Sequence, residues 1–276
     1  MNLIVQGPTA TPAQAEELAR LGGSSTIVQI SPHAWRIRKA APSDEIPLYC
    51  ESARIDFAFV PEDRRFSDLR LLAMDMDSTL ITIECIDELG DMAGCKSEIA
   101  SITAQAMRGE LDYPQSLRKR VGLLKGLPES TLTRVYEERL RLTPGAEQLV
   151  AACKKNGVKL LLVSGGFTFF TDRLKERLGI DYTISNVLAT RDAKLTGELV
   201  GAIVDAEAKA VRFAAVAAEL GAERAATVAI GDGANDLKMM ALAGLSVAFH
   251  AKPVVRAQAS CAISWCGLDA VLNLFE

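Results

Sequence analysis

Leu71-Leu72-Ala73-Met74-Asp75-Met76-Asp77-Ser78-Thr79 is an apolar run that ends in two carboxylates one residue apart, followed by two hydroxyls. A buried parallel strand reads as such a run, and open α/β sheets hold their ligands beyond the carboxyl ends of their strands. Two carboxylates this close repel one another, so a fold that keeps both ionised needs a cation beside them. A carboxylate offered to an electrophile next to a divalent metal points to phosphoryl chemistry through an aspartyl intermediate. An isolated Asp-x-Asp is more often a strand ending in solvated acids. Three further signals downstream tip the balance.

Leu161-Leu162-Val163-Ser164-Gly165-Gly166 repeats the pattern with a hydroxyl and two glycines, whose backbone can approach a phosphoryl oxygen closely. Lys209 stands near the start of an expected helix, where a cation opposes the helix dipole unless it is aimed at negative charge. Without its companions it would read as a solvated surface lysine. Val228-Ala229-Ile230-Gly231-Asp232-Gly233-Ala234-Asn235-Asp236 ends a third apolar run in an acid between glycines. Asp232 suits a hard ion such as Mg²⁺, which prefers octahedral oxygen ligands. Asn235 can donate to phosphate, and Asp236 can orient Lys209 or hold a metal-bound water. His33 and His250 are the only histidines, so acid–base work falls to carboxylates.

Strand–helix alternation from Leu71 onward predicts a doubly wound parallel sheet. Strands are expected at Leu71–Met74, Lys159–Val163, Ala226–Ile230 and Ser246–Phe249. Helices are expected from Thr143, with Pro144 behind it, to Asn156-Gly157; from Phe169 to Leu178 before Gly179; and from Ala206 to Leu220 before Gly221. Lys194 to Val204 alternates like a hairpin at the sheet edge. Residues 81–142 part the first strand from the second by about 60 residues, several times a normal crossover. They read as helices (84–92, 96–108, 113–124, 129–139), placed to act as a lid directly behind Asp77.

Residues 1–65 read as β-α-β-β-α-β, with Thr11 an N-cap, Pro12 at the first helical position and Pro61 to Arg65 a linker. The expected division is a small α+β domain over 1–65 and an α/β domain over 66–276, with core 66–80 and 143–276 and cap 81–142.

Composition narrows the function further. A 276-residue chain with 49% apolar and 24% charged residues is ordinary for a globular protein. Its net charge of −4, with acids and bases interspersed, argues against nucleic acid and gives no general pull on anions, so phosphate must be captured locally. No apolar stretch approaches the roughly 20 residues of a membrane span, and the start, Met1-Asn2-Leu3-Ile4-Val5, lacks signal-peptide features. Six scattered cysteines without a CxxC pair read as reduced thiols of a cytoplasmic protein, Cys261 and Cys266 included.

Asp75 and Asp77, Ser164, Lys209 and Asp232 together resemble the haloacid dehalogenase superfamily of phosphohydrolases over residues 71–250. The run Asp75 to Leu80, Glu84 close behind it and Arg120 in the insert are similar to the branch of that superfamily that hydrolyses O-phosphoserine. The first unit resembles, in topology, the ACT-like domain preceding the catalytic part in many bacterial members. The implied architecture is a Rossmann-like core, a helical-bundle cap inserted after its first strand, and a small βαββαβ domain.

The resemblance implies roles. Asp75 would be the nucleophile, and Asp77 would protonate the departing seryl oxygen and later deprotonate the hydrolytic water. Mg²⁺ would be held by Asp75, the backbone carbonyl of Asp77, and Asp232. Ser164, Gly165, Lys209 and Asn235 would hold the phosphoryl group, with Asp236 in support. A metal ligand stays ionised, whereas a carboxyl off the metal and near negative charge rises toward a useful pKa. Glu84 suits the substrate's ammonium and Arg120 its carboxylate. On closure of the lid Met107 and Tyr113 would line an apolar wall excluding water, and the branch commonly has Phe where Tyr113 stands.

Related phosphorylated ATPases carry Lys where Asp77 lies, and dehalogenases lack an acid there. The expectation is therefore hydrolysis of O-phospho-L-serine, the last step of serine biosynthesis, with a small-molecule substrate and neither membrane nor nucleic-acid partner. ACT-like units pair through sheets or helices, so a homodimer is the associated expectation. The rivals are the same chemistry on another small ester such as phosphohomoserine, a phosphotransferase, and a catalytically silent amino-acid sensor. The intact set of Asp75, Asp77, Lys209 and Asp232 speaks against the last.

Overall fold

The structure is a computed structural model describing residues Met1–Glu276. The first unit comprises β1 (Asn2–Gln6), α1 (Pro12–Leu21), β2 (Thr26–Ser31), β3 (Ala34–Arg38), α2 (Glu45–Ala53) and β4 (Asp56–Val60). Its antiparallel sheet has the order β2-β3-β1-β4. Thr11 caps α1 as its sequence suggests: Gln14 N–H donates to the hydroxyl while the Gln14 side chain accepts from Thr11 N–H. Leu3, Val5, Leu18, Trp35, Ile37 and Ile46 form this unit's own core.

After β5 (Leu71–Met74) come the cap helices α3 (Cys85–Met92), α4 (Lys96–Met107), α5 (Tyr113–Gly122) and α6 (Ser130–Arg134), the last running into a π turn at Val135–Arg139. The core resumes with α7 (Ala146–Lys155), β6 (Lys159–Phe167), α8 (Thr168–Leu178), β7 (Tyr182–Arg191), β8 (Lys194–Val200) and α9 (Ala206–Glu219). It ends with β9 (Thr227–Gly231), α10 (Leu237–Leu242), β10 (Leu245–Phe249), α11 (Pro253–Arg256) and β11 (Cys261–Ile263). The seven-stranded sheet has the order β11-β10-β9-β5-β6-β7-β8, parallel throughout except at β7–β8. Leu71, Leu72, Ala73 and Met74 are buried on both faces, as a central parallel strand requires. β6 and β9 flank β5, so Ser164 and Asp232 arrive beside Asp75 by topology alone.

Three expectations need correction. The helix expected from Thr143 starts at Ala146, with Gly145 at φ 82° as its cap. The Thr143 hydroxyl is engaged elsewhere, donating to Thr79 C=O at 2.7 Å, and Pro144 C=O accepts from Leu268 N–H. The edge hairpin comprises β7 and β8, turning at Asp192 and Ala193 in left-handed conformation, rather than 194–204. β6 runs on through Ser164, Gly165 and Gly166 to Phe167, instead of stopping at Val163.

The cap joins the core through a paired neck. Ile81 and Leu142 form an antiparallel bridge, Thr82 N–H donates to Arg141 C=O, and Thr143 N–H donates to Leu80 C=O. The first unit docks at β11: the Asp56 carboxylate accepts from the N–H groups of Ser264, Trp265 and Cys266, and buried Arg36 pairs with Glu276 at 2.8 Å. All six cysteines are unpaired. No helix is long and apolar enough to cross a membrane.

Candidate active site

At the end of β5 the Asp75 carboxylate is held from two sides. Met76 N–H donates to Oδ1 at 2.6 Å, and Lys209 Nζ reaches Oδ2 at 2.8 Å. The same Nζ lies 2.8 Å from Asp236 Oδ1, while Gly233 N–H donates to Asp236 Oδ2 at 3.1 Å. Lys209 is completely buried between two acids, the cation aimed at negative charge that its place near a helix start suggests. Burial alone would depress its ammonium; Asp236 and Asp75 outweigh that and raise it.

Oxygens of Asp75, Asp232 and Asp236 lie within 4.8 Å of one another. Three carboxylates facing one ammonium leave surplus negative charge, and the donor set is all oxygen; both fit a hard divalent cation. Asp75 and Asp236 each divide their oxygens between Lys209 and a backbone N–H, whereas the Asp232 carboxylate has no hydrogen-bond or ion-pair partner and is the one most open to a cation. Burial, then Asp236 and Glu84, push Asp232 up to about 6. Burial and the Asp236 charge raise Asp75 well above the carboxylate range, against the pull of Lys209.

The Asp77 side chain faces differently. Cys85 N–H donates to its Oδ1 at 2.9 Å, and the Ser164 hydroxyl lies 3.4 Å from Oδ2. Burial, reinforced by the Glu84 charge, pushes its carboxyl up to about 7. That poises it to give and take a proton near neutrality. A Cβ on Gly166 would fall 2.6 Å from Asp77 Oδ2 and 2.9 Å from Met76 Cε, so any other residue there would push the Asp77 carboxyl and the Met76 side chain aside. The tight turn after Asp77 uses left-handed backbone at Ser78 (φ 56°), and the Ser78 hydroxyl donates to Glu84 Oε1 at 2.7 Å. This turn brings Glu84 back over the strand end.

Asp75, Asp77, Glu84 and Asp232 line a cleft of about 600 Å³ between core and cap, while Ser164, Lys209 and Asp236 lie fully buried behind its wall. Glu84, Arg120, Gly165, Asn235, Met107 and Tyr113, all expected at the site, line it. Arg120 Nε is buried in α5 without a hydrogen-bond partner. Tyr113, its hydroxyl pushed up to about 12 by burial, donates to Gly165 C=O at 3.3 Å and so fastens the cap to the β6 loop. Met107 lines the cleft from the end of α4 and is 70% exposed with the cap in this position. Lys252 and Asp87 also line the cleft and were missed. Lys252 stands just past β10, another strand end in the sheet, so the rule that found Asp232 could have found it.

Residues 72–241 match the profile of the haloacid dehalogenase-like hydrolases, and the chain belongs to that family. Residues 3–46 match a family described as a domain of unknown function. A phosphoserine phosphatase from Polaromonas sp. is 57% identical over 219 residues, covering 78% of this chain and 93% of the relative. The crystal structure of a probable phosphoserine phosphatase from Vibrio cholerae, in unliganded form, superposes with a TM-score of 0.86 at 40% identity, over 99% of this chain and 85% of that one. A substrate-bound phosphoserine phosphatase complex superposes with a TM-score of 0.71 at 39% identity, over 75% of this chain and 99% of that one.

Proposed function

We propose that the protein hydrolyses O-phospho-L-serine to serine and phosphate through a phosphorylated Asp75. One observation carries the choice of substrate: the cleft that holds Asp75 also holds Glu84 and the unpartnered Arg120 Nε, an anion and a cation for the two charges beyond the phosphate. Asp75, aimed by Lys209 and Met76 N–H, attacks phosphorus as the bond to the seryl oxygen breaks. Asp77 gives its proton to that oxygen. Then Asp77 takes a proton from water, the water oxygen bonds to phosphorus, and the Asp75–phosphorus bond breaks. Ser164, Gly165, Lys209 and Asn235 hold the phosphoryl oxygens throughout, and Asp236 keeps Lys209 in place.

Asp75 and Asp232, with the backbone carbonyl of Asp77 that the family resemblance adds, would hold Mg²⁺, which would supply positive charge to offset the crowded oxygens. The reading divides the chain into an α+β domain over 1–65 and a catalytic domain over 66–276 with its cap at 81–142. It includes a homodimer through the first unit, supported by β2, an unpaired edge strand exposing Val28 and Ile30. The test is phosphate release from O-phospho-L-serine with Mg²⁺ and with excess chelator, together with mass analysis of enzyme treated with beryllium fluoride or acid-quenched during turnover. Activity that survives chelation, or an adduct anywhere but Asp75, refutes the reading.

A further inference from the structure

Asn186 lies within β7, is 2% exposed and belongs to none of the stretches that signal phosphate chemistry. Both ends of its carboxamide are engaged. Oδ1 accepts Val204 N–H at 2.8 Å, and Nδ2 donates to Gly165 C=O at 2.8 Å. One partner is a donor and the other an acceptor, so a single amide orientation satisfies both. Val204 directly precedes Asp205, whose side chain caps α9 by accepting Ala208 N–H at 2.9 Å, and α9 carries Lys209. On the other side, Gly165 C=O and Gly166 N–H belong to one planar peptide unit, so holding the first directs the second. Gly166 N–H donates to Ser164 Oγ at 2.8 Å, and that hydroxyl lies 3.4 Å from Asp77 Oδ2.

We infer that Asn186 is a positioning residue. A chain of hydrogen bonds from Val204 through Asn186 and the Gly165–Gly166 peptide to Ser164 keeps the phosphate loop, the start of the Lys209 helix and Asp77 in one register. This rests on the phosphatase reading above. A Gly-Gly peptide has no side chains of its own to hold its plane, so removing the Asn186 amide frees it to turn. The Ser164 hydroxyl then loses the donor that aims it. An aspartate at this position would mimic the amide only when protonated, donating O–H to Gly165 and accepting from Val204. Once ionised, it would set a carboxylate against the Gly165 carbonyl oxygen. Tyr113, bonded to the same carbonyl, stays protonated through neutrality because burial pushes it up to about 12.

The experiment compares wild type, N186A and N186D across acid to mildly alkaline pH, with O-phospho-L-serine and Mg²⁺. Dividing each variant's kcat by that of wild type removes the part of the pH profile that they share, and N186A reports any change in the titration of Asp77 that does not come from the new carboxyl. N186A is expected to lose roughly 10–100-fold in kcat with KM within about threefold of wild type, the pattern of a group felt mainly in the transition state. The N186D deficit is expected to shrink by at least about tenfold from mildly alkaline pH down toward the carboxyl's own range. A pH-independent N186D deficit overturns the inference, as does a native kcat or a loss confined to KM or melting temperature in N186A. If N186A does not fold, the pH profile of the near-isosteric N186D decides alone. If wild type releases no phosphate from O-phospho-L-serine, the substrate reading fails. The inference is then decided by calorimetric binding of orthovanadate with Mg²⁺, whose five-coordinate form mimics the transition state, where N186A weaker by about tenfold supports it and equal affinity overturns it.

Discussion

Replacing Arg120 with alanine separates recognition from chemistry. The guanidinium stands on α5 over the cleft, with its buried Nε unpartnered, so a substrate carboxylate can meet it without displacing another acid. Two charge-assisted hydrogen bonds contribute about 1.5–3 kcal/mol each before desolvation. Stripping water from the guanidinium offsets part of that, leaving about 3–4 kcal/mol for the pair. At 1.36 kcal/mol per decade, R120A is expected to lose about 10²–10³-fold in kcat/KM on O-phospho-L-serine. The control is phosphoethanolamine, which keeps the phosphate and ammonium but has no carboxylate. On it the variant and wild type should agree within about threefold, because no partner for Arg120 is present. Arg120→Lys should recover only part of the loss, since an ammonium is a point charge without the planar fork. Steady-state phosphate release on both esters reads the result. Equal losses on the two would mean that Arg120 supports the cap rather than the substrate, and the assignment of phosphoserine would lose its basis.

Asp77→Asn should lower kcat by roughly 10²–10⁴-fold while leaving calorimetric Mg²⁺ binding intact, because its side chain faces Cys85 and Ser164 rather than the acidic cluster. Gly166→Ala should cost more than about 10²-fold in kcat, since the added methyl falls 2.6 Å from Asp77 Oδ2; full activity would mean the loop moves freely. Asp77 at about 7 and Asp232 at about 6 keep protons in the folded protein that an unfolded chain releases near pH 4. The native state thus binds more protons in that window, and metal-free stability falls as pH rises from about 4 to about 7. Mg²⁺ takes the deprotonated carboxylates, so its increase in melting temperature should be larger at mildly alkaline pH than at about pH 5, as scanning calorimetry would report. An equal increase at both would refute the link.

The reactive strand ends were legible because each joins an apolar run to a polar stop, and the sheet then gathers them. Asp75, Ser164 and Asp232 needed only the strand order to meet. Lys209 was legible through its awkward place near a helix start, which its two acid partners explain. The cap helices emerged from length and periodicity, but not the exposure of Met107, which depends on where α4 ends relative to α5. Thr143 has the sequence of an N-cap, yet its hydroxyl is drawn to Thr79, 64 residues earlier, and local signals cannot report so distant a partner. Asn186 was invisible for the same reason. Its partners, Gly165 and Val204, lie on either side of it along the chain and meet it only across the folded sheet.

The paired neck at Ile81 and Leu142 has a consequence for how such a molecule can diversify. Because the polypeptide leaves and re-enters the core side by side, the insert can lengthen, shrink or be exchanged without parting the strands that carry Asp75, Ser164 and Asp232, provided that the Cys85 N–H that holds Asp77 is kept. Most of what chooses the substrate therefore resides on a stretch separable from the nucleophile, and a graft placed beyond Cys85 would retarget the catalyst while Asp75 and Asp77 keep their supports.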